Sequence, residues 1–450
     1  MNIKVENTLR TMEYKSLVEG ITLLIVQQAG IALLLKNKDI FNEYMSIFIP
    51  ICVLHIAFVW GTIFLESDIK LVMVIQTILN LGIGIQVLLN KQNPAVMIIT
   101  YYITIALALG LVIIIIKVMN ACSLKLLRTI LYGLTTICWI LLLVLGTTIH
   151  GTRAWIVFGN LSLQVTEIIK LLMILAFVSI FADKKISEKC KLIHALAFTT
   201  VNALLLLLIS ELGTLLIVGG VFFLFTFICT EKIRDFIRLF ACLFFSGGMA
   251  VGLVILLDYL YSKGICNKIT GIAAAIIGKL QTRFDLWLRL DELDPYDKAY
   301  QPLQARLALN MSGLWGNNRG TVDIPAGDTD YIFVSLVYYL GIIIGIIVFV
   351  FFVYALIRGT YIYLRNPNAV ESMIVCGFSY ALFIQMLIAV AGTTNCLLMT
   401  GVGLPFLSRG FTNLLVSEVF VIYMLFAGRT TDIFDKGMVK EKERTLVCRR

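Results

Sequence analysis

Residues 151–170 read GTRAWIVFGNLSLQVTEIIK. An outer turn and Trp155 lead into an otherwise apolar helix that carries Glu167 and Lys170. A carboxylate and an ammonium three positions apart share one helix face and neutralise each other. Ionisable groups at membrane depth are costly, and they face a bundle interior or a wet cavity, not lipid. Two readings follow. One is a buried pair that fixes helix packing; the other is a polar site for a charged substrate at the membrane surface.

The surroundings of this stretch decide the class. Hydrophobic residues make up 59% of the 450, and mean hydropathy is +0.93. Apolar runs of bilayer-spanning length recur near 17–36, 43–65, 71–90, 95–117, 127–149, 165–182, 191–209, 212–229, 239–258, 331–357, 371–393 and 412–428. They predict an all-α polytopic membrane protein of about twelve transmembrane helices. The N-terminus carries mixed charges (Lys4, Glu6, Arg10, Glu13, Lys15) before a long first run, which reads as a retained helix and not a cleaved signal.

An even number of spans puts both termini on one side, and the distribution of positive charge selects the cytoplasm. Lys184, Lys185, Lys189 and Lys191 fall in one inner loop, and Lys232, Arg234 and Arg238 in the next. The tail adds Lys436, Lys440, Lys442, Arg444, Arg449 and Arg450. The net charge of +9 is therefore a topology signal with an attraction to anionic membrane lipid. Nucleic-acid binding does not account for it.

Several chemistries are excluded. The ten cysteines form no CxxC pair, and His55, His150 and His194 lack zinc-site spacing. Neither a Walker lysine loop nor a GxGxxG motif is present, so no organic cofactor is expected. One connection, residues 259–330, is long and lies on the outer face by the span count. Its first part, ITGIAAAIIGKLQTRF, has the pattern of an interfacial amphipathic helix. Its second concentrates Asp285, Asp291, Glu292, Asp294 and Asp297 with Trp287, Arg289 and Lys298. That cluster reads either as a solvated charged turn or as a catalytic or cation-binding loop.

Five ordered blocks resemble the SEDS family (shape, elongation, division and sporulation) of RodA and FtsW peptidoglycan glycosyltransferases. Trp155, Ile156, Gly159, Gln164, Glu167 and Lys170 are similar to the first family block, and Ser210-Glu211-Leu212-Gly213-Thr214 to the second. Asp294, Pro295, Tyr300, Gln301 and Gln304, with Gly313, Leu314 and Gly316 behind them, resemble the third. Thr329, Asp330, Tyr331, Ile332, Phe333 and Gly341 resemble the fourth, and Thr400, Gly401, Leu404, Pro405, Phe406, Ser408 and Gly410 the fifth. The chain departs from the family pattern at Val165-Thr166, Asp328, Tyr338-Tyr339 and Arg409, and it lacks the family glycines around Asp294. It reads as a divergent member, with N-terminal membrane helices over 1–125 that include two beyond the family core. A core over 126–430 with the outer loop and a basic cytoplasmic tail over 431–450 complete the division.

The resemblance implies polymerisation of lipid II, a disaccharide-pentapeptide on undecaprenyl diphosphate, at the outer face of the bacterial cytoplasmic membrane. Asp294 matches the family aspartate proposed as the catalytic base. Growing charge on the leaving diphosphate calls for cations, and Lys170, Arg153, Arg283 and Arg409 are available. Glu167 and Glu211 would orient Lys170; Glu167 or Asp294 would hold a divalent cation such as Mg or Mn. Substrate-binding roles are also implied for Trp155, Gln301, Gln304, Thr329, Asp330 and Ser408. A class B penicillin-binding protein is the implied transpeptidase partner. The competing readings are a scaffold that recruits a transpeptidase and a flippase for a lipid-linked sugar.

Overall fold

The computed structural model describes residues 48–57, 68–89, 93–149, 152–159, 161–230, 255–264, 268–317 and 322–447, with a few single positions besides. A short helix α1 (Phe48–Ala57) precedes α2 (Ile69–Leu89), α3 (Pro94–Ala121) and α4 (Leu124–Leu145). After a small sheet come α5 (Val165–Phe181), α6 (Glu188–Leu208) and α7 (Leu212–Cys229). The connection over 259–330 holds α8 (Lys268–Leu288) and α9 (Tyr300–Ser312). The chain closes with α10 (Ile332–Leu340), α11 (Ile342–Arg365), α12 (Ala369–Thr393) and α13 (Phe411–Val447).

Among the described residues, eight helices are long and apolar enough to cross a membrane: α2, α3, α4, α6, α7, α11, α12 and the Phe411–Arg429 part of α13. The chain is a multi-pass helical membrane protein. Nearly all of the expected run 17–36, most of 239–258 and much of 43–65 lie outside the described residues. Helices α4 and α6 turn most of their apolar side chains outward, as lipid-facing helices do. A hydrogen bond of 2.7 Å from Trp139 Nε1 to Asn202 Oδ1 joins them.

Helix α5 is the centre of the bundle. Every residue except Ile168 and Leu172 is buried, and α4, α7, α12 and α13 all pack against it. A 17-residue helix spans about 25 Å, so α5 runs nearly the depth of the apolar layer with protein on every side. Phe177 meets the rings of Phe222 and Phe225 of α7, with centroids 5.8 and 6.5 Å apart.

The sequence reading needs three refinements here. First, the segment before α5 is more than a turn. Strands β1 (Thr147–Ile149), β2 (Thr152–Phe158) and β3 (Leu161–Gln164) form an antiparallel meander in sequence order. Trp155 stands opposite both Thr147 and Gln164. The AWIVF run has the β-branched and aromatic composition that suits a half-buried strand, and Gly159 supplies the left-handed turn residue at φ 58°. Second, the outer connection is largely helical, with the ITGIAAAIIGKLQTRF segment inside α8 as its pattern predicts. Third, the run 331–357 is not one span. It breaks at Gly341 (φ 96°) into α10 and α11.

The break has a steric cause. A Cβ on Gly341 would lie 2.2 Å from the Leu314 carbonyl oxygen, and one on Gly316 (φ 86°) 2.3 Å from that of Tyr339. Two glycines thus let the end of the outer loop press directly on the helix junction, where Asn317 N donates to Tyr338 O at 2.7 Å. Gly341→Ala combines a disfavoured backbone with a backbone clash, and the conformation alone costs about 1–3 kcal/mol. We expect it to lower the melting temperature of the purified protein by several degrees. Gly110→Ala in α3, where a Cβ meets nothing within 4 Å, should leave melting unchanged or raise it slightly.

Candidate active site

Lys170 sits in the second turn of α5 with no exposed surface. Its Nζ donates to Glu167 Oε2 at 2.5 Å and to Gln385 Oε1 of α12 at 2.7 Å, and the Phe420 ring centroid of α13 lies 5.8 Å away. Gln385 Nε2 then donates to Gly403 O at 3.0 Å and to Asn413 Oδ1 at 2.9 Å. Where β3 enters α5, Gln164 N donates to Thr412 Oγ1 at 3.0 Å. One ammonium therefore ties together α5, α12, the turn over 400–410 and the start of α13. The sequence singled out Glu167 and Lys170. It missed Gln385, Asn413 and Thr412, although a lone glutamine inside the apolar run 371–393 was a visible signal.

The second block joins the same region. Glu211 is the N-terminal boundary of α7, preceded by Ser210 in a left-handed conformation (φ 65°). Gly213 allows the close approach of the 400–403 segment, since a Cβ there would collide with Val402 at 1.9 Å. From the outer connection, α8 lays two cations over this corner: Arg283 Nη2 reaches Ser210 O at 3.4 Å and Lys279 Nζ reaches Ser210 Oγ at 3.2 Å. Burial pushes the Glu211 carboxyl up to about 7. The Glu167 charge adds to this, Arg283 and a hydrogen bond from Gln164 oppose it, and Asp330 adds a little more. Burial likewise draws the Arg283 guanidinium below its ordinary value, against the pull of Glu211 and Asp330. Three carboxylates (Glu167, Glu211, Asp330) and two cations (Lys170, Arg283) thus share one electrostatic neighbourhood.

The fourth and fifth blocks are stitched to each other. Ser408 Oγ donates to Thr329 O at 2.8 Å while accepting from Leu404 N at 2.7 Å. Arg409 N donates to Asp328 O at 2.8 Å, and its guanidinium lies 3.1 Å from the Asp328 carboxylate. Gln86 Nε2 of α2 bridges Asp328 O and Leu407 O at 2.8 and 3.0 Å. A Cβ on Gly401 would meet Asp330 Oδ2 at 3.5 Å, so Asp330 lies beside the 400–410 turn.

Asp294 occupies a different setting. It is exposed on the turn between α8 and α9, where its Oδ1 accepts from Tyr296 N at 2.9 Å. A cleft of about 110 Å³ is lined by Trp287, Lys298, Gln301, Arg306, Tyr331 and Asn395, among others, and Lys298 follows Asp294 by four residues in the chain. Trp287 follows Arg283 by one turn of α8, and Tyr331 follows Asp330. The cleft and the buried charges therefore rest on the same two pieces of backbone. Arg306 is bonded to Asp291. Gln301 lines the cleft, while Gln304 is half-buried one turn further along α9.

Three sequence expectations change. Arg153 is not aimed at a substrate: its Nε and Nη2 donate to Gly146 O and Leu143 O at 3.0 and 2.9 Å, capping α4. Half-buried Trp155 packs against the main core from β2. A divalent cation held by Glu167 or by Asp294 does not fit the arrangement of the described residues. Glu167 is neutralised by Lys170, Asp294 stands on an exposed turn, and among the described residues no three His, Cys, Asp or Glu side chains are arranged to hold a metal.

With this geometry in hand, similarity to known proteins is decisive. The cell cycle protein family model of FtsW, RodA and SpoVE matches residues 59–429. The chain belongs to this family. It is 28% identical over 310 residues to stage V sporulation protein E of Bacillus subtilis strain 168, covering 66% of this chain and 78% of that one. The probable peptidoglycan glycosyltransferase FtsW of Nitrosomonas europaea is 25% identical over 309 residues, 66% of this chain and 73% of its own. The fold resembles a chain in a solved peptidoglycan synthase complex, described as coordinating polymerization and crosslinking. That match has a TM-score of 0.56 at 20% identity and covers 81% of this chain and 97% of that one. RodA of Thermus thermophilus matches with a TM-score of 0.51 at 20% identity, over 81% and 97% of the two chains.

The buried pair predicts a thermodynamic cycle. Lys170→Met strands the Glu167 carboxylate at a cost of about 3–5 kcal/mol. Adding Glu167→Gln removes the stranded charge, so the double variant should melt higher than Lys170→Met alone; equal melting would mean the two do not interact. Glu211 predicts a pH effect. A carboxyl raised from its ordinary 4.5 to about 7 keeps its proton longer in the folded state than in the unfolded one. Its contribution is full below about pH 4.5 and declines as pH rises through 7. Relative to Glu211→Gln, the parent should lose melting temperature across that window, and parallel curves would remove the burial of this carboxyl.

Proposed function

We propose that this chain is a peptidoglycan glycosyltransferase of the bacterial cytoplasmic membrane that joins lipid II units into glycan strands for cell elongation, division or sporulation. Both termini face the cytoplasm, so the connection carrying Asp294 faces outward. The observation that carries the reading is the family match over 59–429, together with Asp294 on an exposed turn of the connection whose Trp287, Lys298 and Gln301 line a polar cleft. The curated relatives named as peptidoglycan glycosyltransferases support the reaction class, and the synthase-complex likeness supports a crosslinking partner, a class B penicillin-binding protein.

The reaction follows from the residues. Asp294, open to solvent, takes the proton from the attacking sugar hydroxyl. The hydroxyl oxygen bonds to the anomeric carbon of the donor as that carbon's bond to the diphosphate oxygen breaks, and the diphosphate leaves with the electron pair. Lys298 of the cleft meets its growing negative charge. Trp287, Tyr331 and Gln301 give a sugar an aromatic wall and an amide partner. Lys170 has no exposed surface, so it acts through Gln385 by holding the 400–410 turn in place. Ser408 and Arg409, through Thr329 and Asp328, fix the floor on which Asp330 and Tyr331 sit.

Asp294→Asn keeps the size and the turn hydrogen bond but removes the base. Purified with its transpeptidase, the variant should polymerise labelled lipid II at least about a hundredfold more slowly than the parent. Asp297→Asn, three residues along the same turn, should polymerise within a few-fold of it. A normal rate for Asp294→Asn would overturn the base assignment, and an inactive parent would favour a scaffold.

A further inference from the structure

A separate cavity of about 20 Å³ is lined by residues of α1, α2, α3 and α13 and by Phe406. Among the described residues its lining is apolar except for His55, Gln76 and Glu418, each at most 3% exposed. Nothing in the reaction uses these three residues. His55 lies before the segment that matches the family model.

Their hydrogen bonds can be counted atom by atom. His55 Nδ1 lies 2.7 Å from Ile51 O. A carbonyl only accepts, so Nδ1 carries the hydrogen and a neutral ring keeps a lone pair on Nε2. Gln76 Nε2 donates to His55 O at 3.2 Å, which fixes the amide, and Gln76 Oε1 has no protein partner. Glu418 Oε1 lies 3.3 Å from Thr104 Oγ1, but that hydroxyl is also 3.0 Å from Tyr101 O, so a single hydrogen serves both. Glu418 Oε2 has no protein partner. An ionised carboxylate buried here with half a donor would be very costly.

We propose that this cavity is a water site held by a neutral Glu418. One water accepts from the Oε2 hydroxyl of Glu418 and donates its two hydrogens to Gln76 Oε1 and His55 Nε2. Every polar group is then satisfied, and the water makes three bonds, the usual number for a buried one. The volume agrees, since about 10–15 Å³ admits one water. The site fastens α1 and α2 to α13 beneath the 400–410 turn. Phe406, in a left-handed conformation (φ 65°), forms its lid, backed by Gly82, where a Cβ would lie 2.6 Å from Phe406 O.

Infrared spectroscopy of the purified full chain tests both parts. The parent should show a protonated-carboxyl C=O band that is lost in Glu418→Gln. It should also show a bound-water O–H band that shifts in heavy-oxygen water and is lost in Gln76→Leu. In Gln76→Leu the carboxyl band should move, because the water loses one acceptor. If Glu418→Gln does not fold, the comparison of the parent with Gln76→Leu decides. A carboxyl spectrum identical in parent and Glu418→Gln means an ionised Glu418 and overturns the proposal in favour of a cation site. A carboxyl band unmoved by Gln76→Leu, or no heavy-oxygen-sensitive band, overturns the shared water.

Discussion

An ammonium with no exposed surface in the middle of an apolar bundle must be surrounded by acceptors, or the bundle does not form. Lys170 meets that demand with one bond inside its own helix, to Glu167, and one across the bundle, to Gln385. The cross-bundle bond constrains the most. Gln385 has its other end committed to Gly403 O and Asn413 Oδ1, so satisfying Lys170 also sets where the 400–410 turn and the start of α13 lie. Packing alone is tolerant of small slides between helices. A charged hydrogen-bond chain is not, because each displacement leaves a buried polar atom unpaired.

The outer connection inherits this order. The 400–410 turn is bound through Ser408 and Arg409 to the 326–331 turn. That turn leads to Tyr331 in the wall of the cleft that Trp287 and Lys298 also line. On the other side, Arg283 reaches the Ser210–Glu211 corner while Trp287, one turn later, enters the cleft. A rigid, charged floor thus supports a solvent-open loop. This suits a reaction on substrates that arrive from the membrane surface, because the surrounding backbone is held still.

How much of this was legible in the sequence depends on how local each feature is. Glu167 and Lys170 were legible because an i, i+3 charged pair stands out in an apolar run. Gln385 and Asn413 were not, because their role exists only once distant segments meet. The β1–β3 meander was overlooked since its strands are short and embedded between spans, although AWIVF and Gly159 carry the composition of a hairpin. The break at Gly341 was invisible to hydropathy, which reads 331–357 as continuous; only the opposing Gly316 reveals it. Arg153 shows the reverse error: an outer arginine suggested an anion ligand, and the fold uses it to cap α4. The position of Asp294 came from the family resemblance and not from its local chemistry, which is that of an ordinary Asp-Pro turn.

The claim on which the account rests is that this divergent chain is itself a polymerase and not a scaffold for one. The direct measurement is strand synthesis from fluorescent lipid II by the purified parent, mixed with a transpeptidase partner whose own active site has been inactivated. The account predicts a ladder of uncrosslinked glycan strands that lengthens with time. A parent that binds the partner and folds normally yet leaves lipid II unchanged would contradict it.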